Sequence, residues 1–314
     1  MAECAACSRP LGDVAEYCDY CGMQVEVPPM PTSDLTGRTL GRYRITAFVG
    51  RGGMATVYKA THPGLAQTVA VKVLHAHMAC DAGVRARFQH EAQAVAALRH
   101  PNIVRVLDFD CINEAYLMVM EYVEGPTLAE RLSALVTQGR RMPPREVLRI
   151  FAPLCSALDY AHRKGMIHRD VKPGNVLLTT EGEPVLSDYG IAKIVGVTQH
   201  TAMGTVMGSA YYMSPEQAQG LELDGRSDLY SLGVVLFEAL AGRVPYSGDT
   251  LGTVLARHIT APVPPVCVLN DELPPTMDGL MRVVLAKAPA ERFRTGRALA
   301  TAMHGSLAPR GARS

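Results

Sequence analysis

The pattern of apolar positions is β-rich in five short runs, at 43–49, 55–61, 67–74, 104–109 and 115–120, and alternates with a period near two around Lys72 in the third. This pattern predicts half-buried strands sharing a sheet. Residues 82–98 break it. They are rich in alanine, their spacing is helical, and Phe88, Val95 and Leu98 fall along one side. Asp81, just ahead of that stretch, reads as its N-cap. From Leu128 onward helical spacing dominates, for example over 145–163, 227–241, 250–259 and 276–286, punctuated by Pro and Gly. One exception is the run from Val176 to Leu186, where Glu181-Gly182 would turn a short hairpin. A small β-rich part followed by a larger helical part is α+β in class.

The two ends follow a different pattern. Residues 1–24 contain Cys4, Cys7, Cys18 and Cys21, two Cys-x-x-Cys pairs separated by ten residues. Each pair can offer two thiolates to one ion, and four thiolates suit tetrahedral Zn2+. So short a segment has little apolar surface, so the metal would supply most of its stability. Two disulfides or an iron–sulfur site would use the same ligands. The unit looks like a zinc ribbon with no open coordination position. Its acidic bias, Glu3, Asp13, Glu16, Asp19 and Glu26 against Arg9, argues against nucleic-acid binding. Pro28, Pro29, Pro31, Thr32, Ser33 and Gly37 give 25–39 the composition of a linker. The main domain is expected over 40–304, with a frayed tail over 305–314.

The 314-residue chain is 48% hydrophobic, enough for a substantial core. A net charge of +1 gives no global field for nucleic acid or an anionic membrane. There is no apolar run of about 18 residues for a membrane span, and the start lacks signal-peptide features. A cytoplasmic setting is expected. There Cys80, Cys111, Cys155 and Cys267 would stay reduced and serve as small buried apolar residues.

The chemistry centres on His168-Arg169-Asp170-Val171-Lys172-Pro173-Gly174-Asn175. Asp170 can orient or accept the proton of a hydroxyl, Lys172 can neutralise a transferred phosphate, and Asn175 can hold a metal. Val49-Gly50-Arg51-Gly52-Gly53-Met54-Ala55-Thr56-Val57 lies between two strand patterns. Glycines there let backbone amides approach phosphate oxygens, although a plain hairpin turn would look the same. Lys72 sits in the apolar run Val69-Ala70-Val71-Lys72, where it is either an edge-strand surface residue or paired with Glu91, 19 residues later on the long helix. Asp188-Tyr189-Gly190 follows the predicted hairpin and would return Asp188 to the same cleft, where it and Asn175 could hold Mg2+.

Together with Ser214-Pro215-Glu216, Ser227-Asp228-Leu229-Tyr230-Ser231-Leu232-Gly233 and Arg292, these segments resemble a eukaryotic-like Ser/Thr protein kinase of the bacterial (Hanks) type. The resemblance spans about residues 42–303 in family order. It implies a bilobal kinase fold with ATP and Mg2+ or Mn2+ as cofactors. Lys72 would contact the α- and β-phosphates and pair with Glu91. Asp170 would be the catalytic base, Lys172 would stabilise the γ-phosphate, and Asn175 and Asp188 would bind the metal. Gly50, Gly52 and Gly53 would cover the phosphates. Met120 would be the gatekeeper, and Glu121 to Val123 the adenine-binding hinge. Val49, Val57, Ala70 and Leu177 would enclose the purine. Glu216 would pair with Arg292, and Asp228 would brace the catalytic loop.

Three positions depart from the family pattern: Ala55 for the third glycine, Tyr189 for the usual Phe, and Ser214 for the usual Ala. None removes a reacting group, and Tyr189 needs a partner for its phenol if buried. Lys172 points to Ser or Thr acceptors, and the Ser-Pro-Glu segment to protein acceptors rather than small molecules. A scaffold that binds ATP without turnover is the alternative. Arg169 before Asp170 implies control by phosphate on the activation segment, where Thr201 and Thr205 are the candidates beside Thr198. Ser209 would instead lie near Asp170 and Lys172. A partner for the ribbon and a kinase-domain homodimer are the expected assemblies. Membrane-anchored relatives carry a span after the kinase domain, and this chain stops before one.

Overall fold

The computed structural model of the chain describes residues 34–62, 64–112, 114–189 and 208–307. The ribbon cysteines Cys4, Cys7, Cys18 and Cys21, most of the linker, Gly190, and Thr198, Thr201 and Thr205 lie outside them.

Six strands form an antiparallel sheet: β1 (Thr39–Leu40), β2 (Tyr43–Arg51), β3 (Ala55–His62), β4 (Gln67–Leu74), β5 (Val106–Ile112) and β6 (Ala115–Glu121). Their order is β1-β2-β3-β4-β6-β5. The alternation in β4, with Val69, Val71 and Val73 buried, drives one face into a cluster with Tyr43, Ile45, Tyr58 and Val119. The other face packs on α1 (Ala76–Ala79) and α2 (Ala82–Ala96) through Leu74, Phe88, Ala92 and Met118. Asp81 caps α2 by accepting from the Gly83 and Val84 amides.

The helical part contains α3 (Leu128–Thr137), α4 (Pro144–Arg163), α5 (Pro215–Ala218), α6 (Gly225–Ala241), α7 (Leu251–Thr260), α8 (Val266–Leu269), α9 (Thr276–Val284) and α10 (Gly296–Leu307). Its core surrounds α6, which is apolar on nearly every side and accordingly buried almost throughout. Gly242 ends α6 in the left-handed region, φ 75°, which suits a residue without Cβ. Gly296 opens α10 where a Cβ would meet the Cys155 carbonyl oxygen of α4. Asp159 of α4 accepts from the Gly296 and Arg297 amides and caps that helix. Between the two parts runs the hairpin β7 (Val176–Leu178) and β8 (Pro184–Leu186), turned by Gly182 at φ 80°. The Val104 amide donates to Leu186 O at 2.9 Å and Leu186 N to Asn102 O, which ties this hairpin to the sheet side.

Three boundaries differ from the sequence reading. Pairing begins ahead of Leu40, because the Ile45 amide donates to Arg38 O and Thr39 pairs with Arg44. The fifth strand starts at Val106 rather than 104, since Val104 is committed to Leu186. The last helix continues through Gly305 to Leu307, whose side chain is buried in the core and holds the final turn.

Candidate active site

The site grows from one buried carboxylate. Asp228, in the first turn of α6, accepts hydrogen bonds from the His168 amide at 2.8 Å, the Arg169 amide at 2.8 Å and His162 Nε2 at 2.7 Å. These bonds hold Arg169 at φ 67°, a conformation that costs a non-glycine residue about 1–2 kcal/mol. His168 is fully buried, and burial depresses its pKa, so the imidazole is neutral. It donates from Nε2 to Ser187 O at 2.9 Å and accepts at Nδ1 from the Asp170 amide at 3.2 Å. Residues 168–170 are thereby locked to Ser187, the neighbour of Asp188.

Asp170 Oδ2 receives Asn175 Nδ2 at 3.0 Å and Lys172 Nζ at 2.9 Å. Asn175 Nδ2 also bonds Asp170 O at 2.8 Å. Lys172 Nζ donates onward to Ser209 Oγ at 3.0 Å, so Ser209 sits where the sequence placed it. Across the cleft, Lys72 of β4 lies 2.8 Å from Asp188 Oδ1 and 3.5 Å from Glu91 Oε1 of α2. The edge-strand reading of Lys72 falls, because β4 is interior to the sheet. Burial works against the Lys72 charge, but Asp188 and Glu91 outweigh it and raise its pKa. The Lys72 charge lowers the pKa of Asp188, whereas burial raises that of Glu91. Asp188 therefore carries the closer ion pair, and Glu91 steers Lys72 from behind.

Of the residues predicted to face the nucleotide, Met120, Ala70, Val123 and Leu177 belong to one apolar cluster. Val57, Ala70, Val123 and Leu177 are half-buried, and Met120 is buried opposite Ala70 in the sheet register. Val49 is 50% exposed. Gly50 pairs with Val57, and the turn at Gly52 and Gly53 is closed by Gly52 N donating to Ala55 O. The Glu121 amide is already used by Arg105 O, which leaves the hinge fewer donors than the sequence suggested.

One signal escaped the sequence. The Lys72–Asp188 pair joins residues 116 apart and has no spacing to reveal it. Tyr189 is 1% exposed and packs on the His168 ring at 4.4 Å. Its phenol has no hydrogen-bond partner among the described residues, a cost of about 1–3 kcal/mol.

Glu216 and Arg292 meet in a buried bidentate pair, at 2.7 and 2.8 Å. Ser214 and Gln217 form a capping box on α5, and Gln217 Nε2 donates to Arg169 O.

The donor set suits magnesium held together with phosphate. Asp188 supplies a carboxylate that is 38% exposed, and Asn175 uses its NH2 group on Asp170, which leaves its amide oxygen as an acceptor. Two hard oxygen donors are the usual protein share for Mg2+. Among the described residues no group of three or more His, Cys, Asp or Glu side chains could hold a metal by itself. No described helix is long and apolar enough to cross a membrane.

The family model described as the protein kinase domain matches residues 43–303. A Streptomyces coelicolor protein named "Probable serine/threonine-protein kinase" is 42% identical over 262 residues, covering 81% of this chain and 38% of the relative. The serine/threonine-protein kinase PrkC of Bacillus subtilis is 39% identical over 258 residues, covering 82% and 39%. PknA of Mycobacterium tuberculosis is 41% identical over 278 residues, covering 86% and 63%. The crystal structure of the Mycobacterium tuberculosis PknI kinase domain superposes with a TM-score of 0.68 at 32% identity, covering 86% of this chain and 98% of that one. The chain thus spans about two fifths of the length of the first two relatives.

Proposed function

This chain belongs to the protein kinase domain family, and from that premise we propose that it transfers the γ-phosphate of ATP to Ser or Thr hydroxyls of proteins. The observation that carries the reading is the cluster of Asp170, Lys172, Asn175 and Ser209 facing the Lys72–Asp188–Glu91 group.

Asp170 orients the acceptor hydroxyl and takes its proton, and its Asn175 and Lys172 contacts fix its rotamer. Lys172 lies beside Asp170 and neutralises charge on the phosphate in transfer. Lys72, aimed by Glu91, binds the α- and β-phosphates. Asn175 and Asp188 hold Mg2+ or Mn2+, which when bound neutralises the phosphate oxygens. Gly50, Gly52 and Gly53 cover the phosphates. Val49, Val57, Ala70, Met120, Glu121, Val123 and Leu177 receive the adenine. The partially exposed Tyr211, Tyr212 and Met213 after Ser209 offer a surface to a polypeptide, which favours protein acceptors over small ones. With γ-labelled ATP the full chain is expected to label Ser or Thr of a generic protein substrate and no free small hydroxyl compound. Nucleotide binding without any labelled protein would favour the scaffold reading instead.

Activation follows from Arg169. Arg169 directly precedes Asp170 in the chain, and its Nε is buried without a partner among the described residues. Phosphate on Thr201 or Thr205 supplies that partner. Incubation with ATP is expected to add phosphate mass to the wild-type chain. Thr201→Ala/Thr205→Ala should lose most of that gain, and an undiminished gain in the double variant would place the sites elsewhere.

The domain plan is a ribbon over 1–24, a linker from 25 that ends just ahead of the first strand at Thr39, a kinase domain from there through Leu307, and a tail beyond it. In the ribbon, Cys4, Cys7, Cys18 and Cys21 hold one structural Zn2+ and present a surface to a protein partner. Elemental analysis of the full chain is expected to find one zinc per molecule, lost in Cys4→Ser/Cys18→Ser. Zinc content equal in both would remove the ribbon. A cytoplasmic setting and kinase-domain pairing complete the proposal.

A further inference from the structure

His258 of α7 is completely buried, yet it belongs to none of the motifs that carry the kinase resemblance. Its Nε2 lies 3.0 Å from the carbonyl oxygen of Tyr211, and its Nδ1 lies 2.9 Å from the Tyr230 hydroxyl of α6. A carbonyl can only accept, so Nε2 carries the proton and donates. A neutral imidazole then has a bare Nδ1, and the Tyr230 O–H donates to it. The chain of bonds has one polarity, from Tyr230 through His258 to Tyr211, with every member satisfied.

Its surroundings keep the ring in that form. Burial, and then the nearby Lys287 cation, push the His258 pKa down to about 4, so the imidazole is neutral across the working range. Lys287 Nζ donates to His258 O at 2.8 Å and to Arg257 O at 3.3 Å. Those are carbonyls in the last turn of α7, where a cation is favourable. The Tyr246 ring faces His258 edge-on at 5.0 Å and lies 4.2 Å beneath Lys287 Nζ. Arg292 stacks over the Tyr230 ring at 4.7 Å. The imidazole is thus clamped on its far side, and its one free action is to hold Tyr211.

Tyr211 lies between two anchored residues, one of them bonded to Lys172. Two residues before it, Ser209 accepts from Lys172; one residue after it, Tyr212 donates to Glu238 at 2.8 Å. The half-exposed residues 211–213 are the part of the segment open to an incoming chain.

We propose that His258 is a positioning residue for the acceptor polypeptide: through the Tyr211 carbonyl it sets the height of the 208–214 segment beside Lys172 and Asp170. The proposal rests on the reading that the acceptor is a protein. His258 touches neither nucleotide nor reacting atoms, so its effect falls on acceptor KM and not on nucleotide affinity.

The test compares the full-length wild type with His258→Met, His258→Gln and Tyr230→Phe. Methionine keeps volume and removes the donor. Glutamine keeps an N–H able to reach Tyr211. Acceptor KM on a generic protein substrate is expected to rise roughly tenfold in His258→Met, for one lost buried hydrogen bond. Glutamine should return it to within about twofold of wild type, a small residual for a replacement hydrogen bond. ATP Kd, measured by calorimetry, should stay the same in all. Amide exchange over 209–214 should quicken in the methionine variant and recover with glutamine. If His258→Met does not fold, Tyr230→Phe carries the test, with faster exchange over 209–214 and a smaller rise in acceptor KM. Unchanged acceptor KM in the folded variants overturns the proposal, as does an equal loss with Met and Gln. A wild-type chain that labels no protein overturns instead the kinase reading on which the proposal stands.

Discussion

Asp170→Asn is expected to lower phosphoryl transfer roughly 10²–10⁴-fold, the share that a positioned base contributes. The asparagine has the same shape. It can still present oxygen to Asn175 Nδ2 and Lys172 Nζ, which lie 3.0 and 2.9 Å from the carboxylate in the wild type. The fold of 168–175 does not depend on the lost charge, because Asp228 and Ser187 hold it through the backbone amides of residues 168 and 169 and the His168 ring. What disappears is the capacity to accept a proton. Single-turnover rates, ATP Kd and the melting midpoint separate these effects. The rate should collapse while Kd and midpoint hold. A rate within about tenfold of wild type would assign the proton to another acceptor, since a positioned base accounts for more than that.

Arg292→Ala is expected to cost about 3–5 kcal/mol of stability, the usual penalty for stranding one member of a buried pair. Glu216 and Arg292 are 5% and 4% exposed. The guanidinium also donates to the carbonyls of Ala286, Lys287 and Arg226, so its removal leaves those acceptors unpaired as well. Thermal denaturation should show a drop on the order of 10 °C. The pH dependence has a definite sign. Burial opposes the Glu216 charge, but hydrogen bonds from Arg292 and Ser227 outweigh it and hold the carboxyl below its ordinary value. The pair's contribution is therefore complete above the unfolded pKa of about 4.3. It is lost as pH falls through the lowered folded value. Arg292→Ala should flatten that acid limb. Glu216→Gln/Arg292→Met should cost less than the two single changes summed, because neither partner is left charged alone. A single variant within about 1 kcal/mol of wild type would show that solvent reaches Glu216, since such a loss lies in the range of exposed pairs.

Much of this architecture is written in local pattern. β-rich runs marked the sheet strands, with clear period-two alternation in β4, and Asp81 marked the start of α2 because a carboxylate satisfies free amides there. Lys72, Glu91, Asp170, Asn175 and Asp188 were legible from the order and spacing of the segments that hold them, not from any one local context. Their contacts were less so. That Lys72 sits closer to Asp188 than to Glu91 depends on how the hairpin of β7 and β8 closes on the sheet, a tertiary matter with no local trace. His258 was invisible for a related reason. A single histidine in an amphipathic helix reads as filling, and its meaning comes from Tyr230 and Tyr211, 28 and 47 residues away. The end of α10 was misplaced because Gly305 looks like a terminator, while buried Leu307 rewards two further residues.

Lys72 and Asp188, 2.8 Å apart, make the two guests of the cleft thermodynamically interdependent. Before either arrives, the cation and the carboxylate neutralise one another. Under the proposed roles, a polyphosphate draws on the Lys72 charge and a metal ion on the Asp188 charge. A polyphosphate alone strands the carboxylate, and a metal ion alone leaves the ammonium only the more distant Glu91. Each guest therefore binds more tightly once the other is present. Linkage makes the preference symmetric: the factor by which metal tightens nucleotide equals the factor by which nucleotide tightens metal. Couplings of this kind run to about 1–3 kcal/mol. The resting ion pair is then a rule of joint admission, under which the cleft discriminates against free nucleotide and free cation alike.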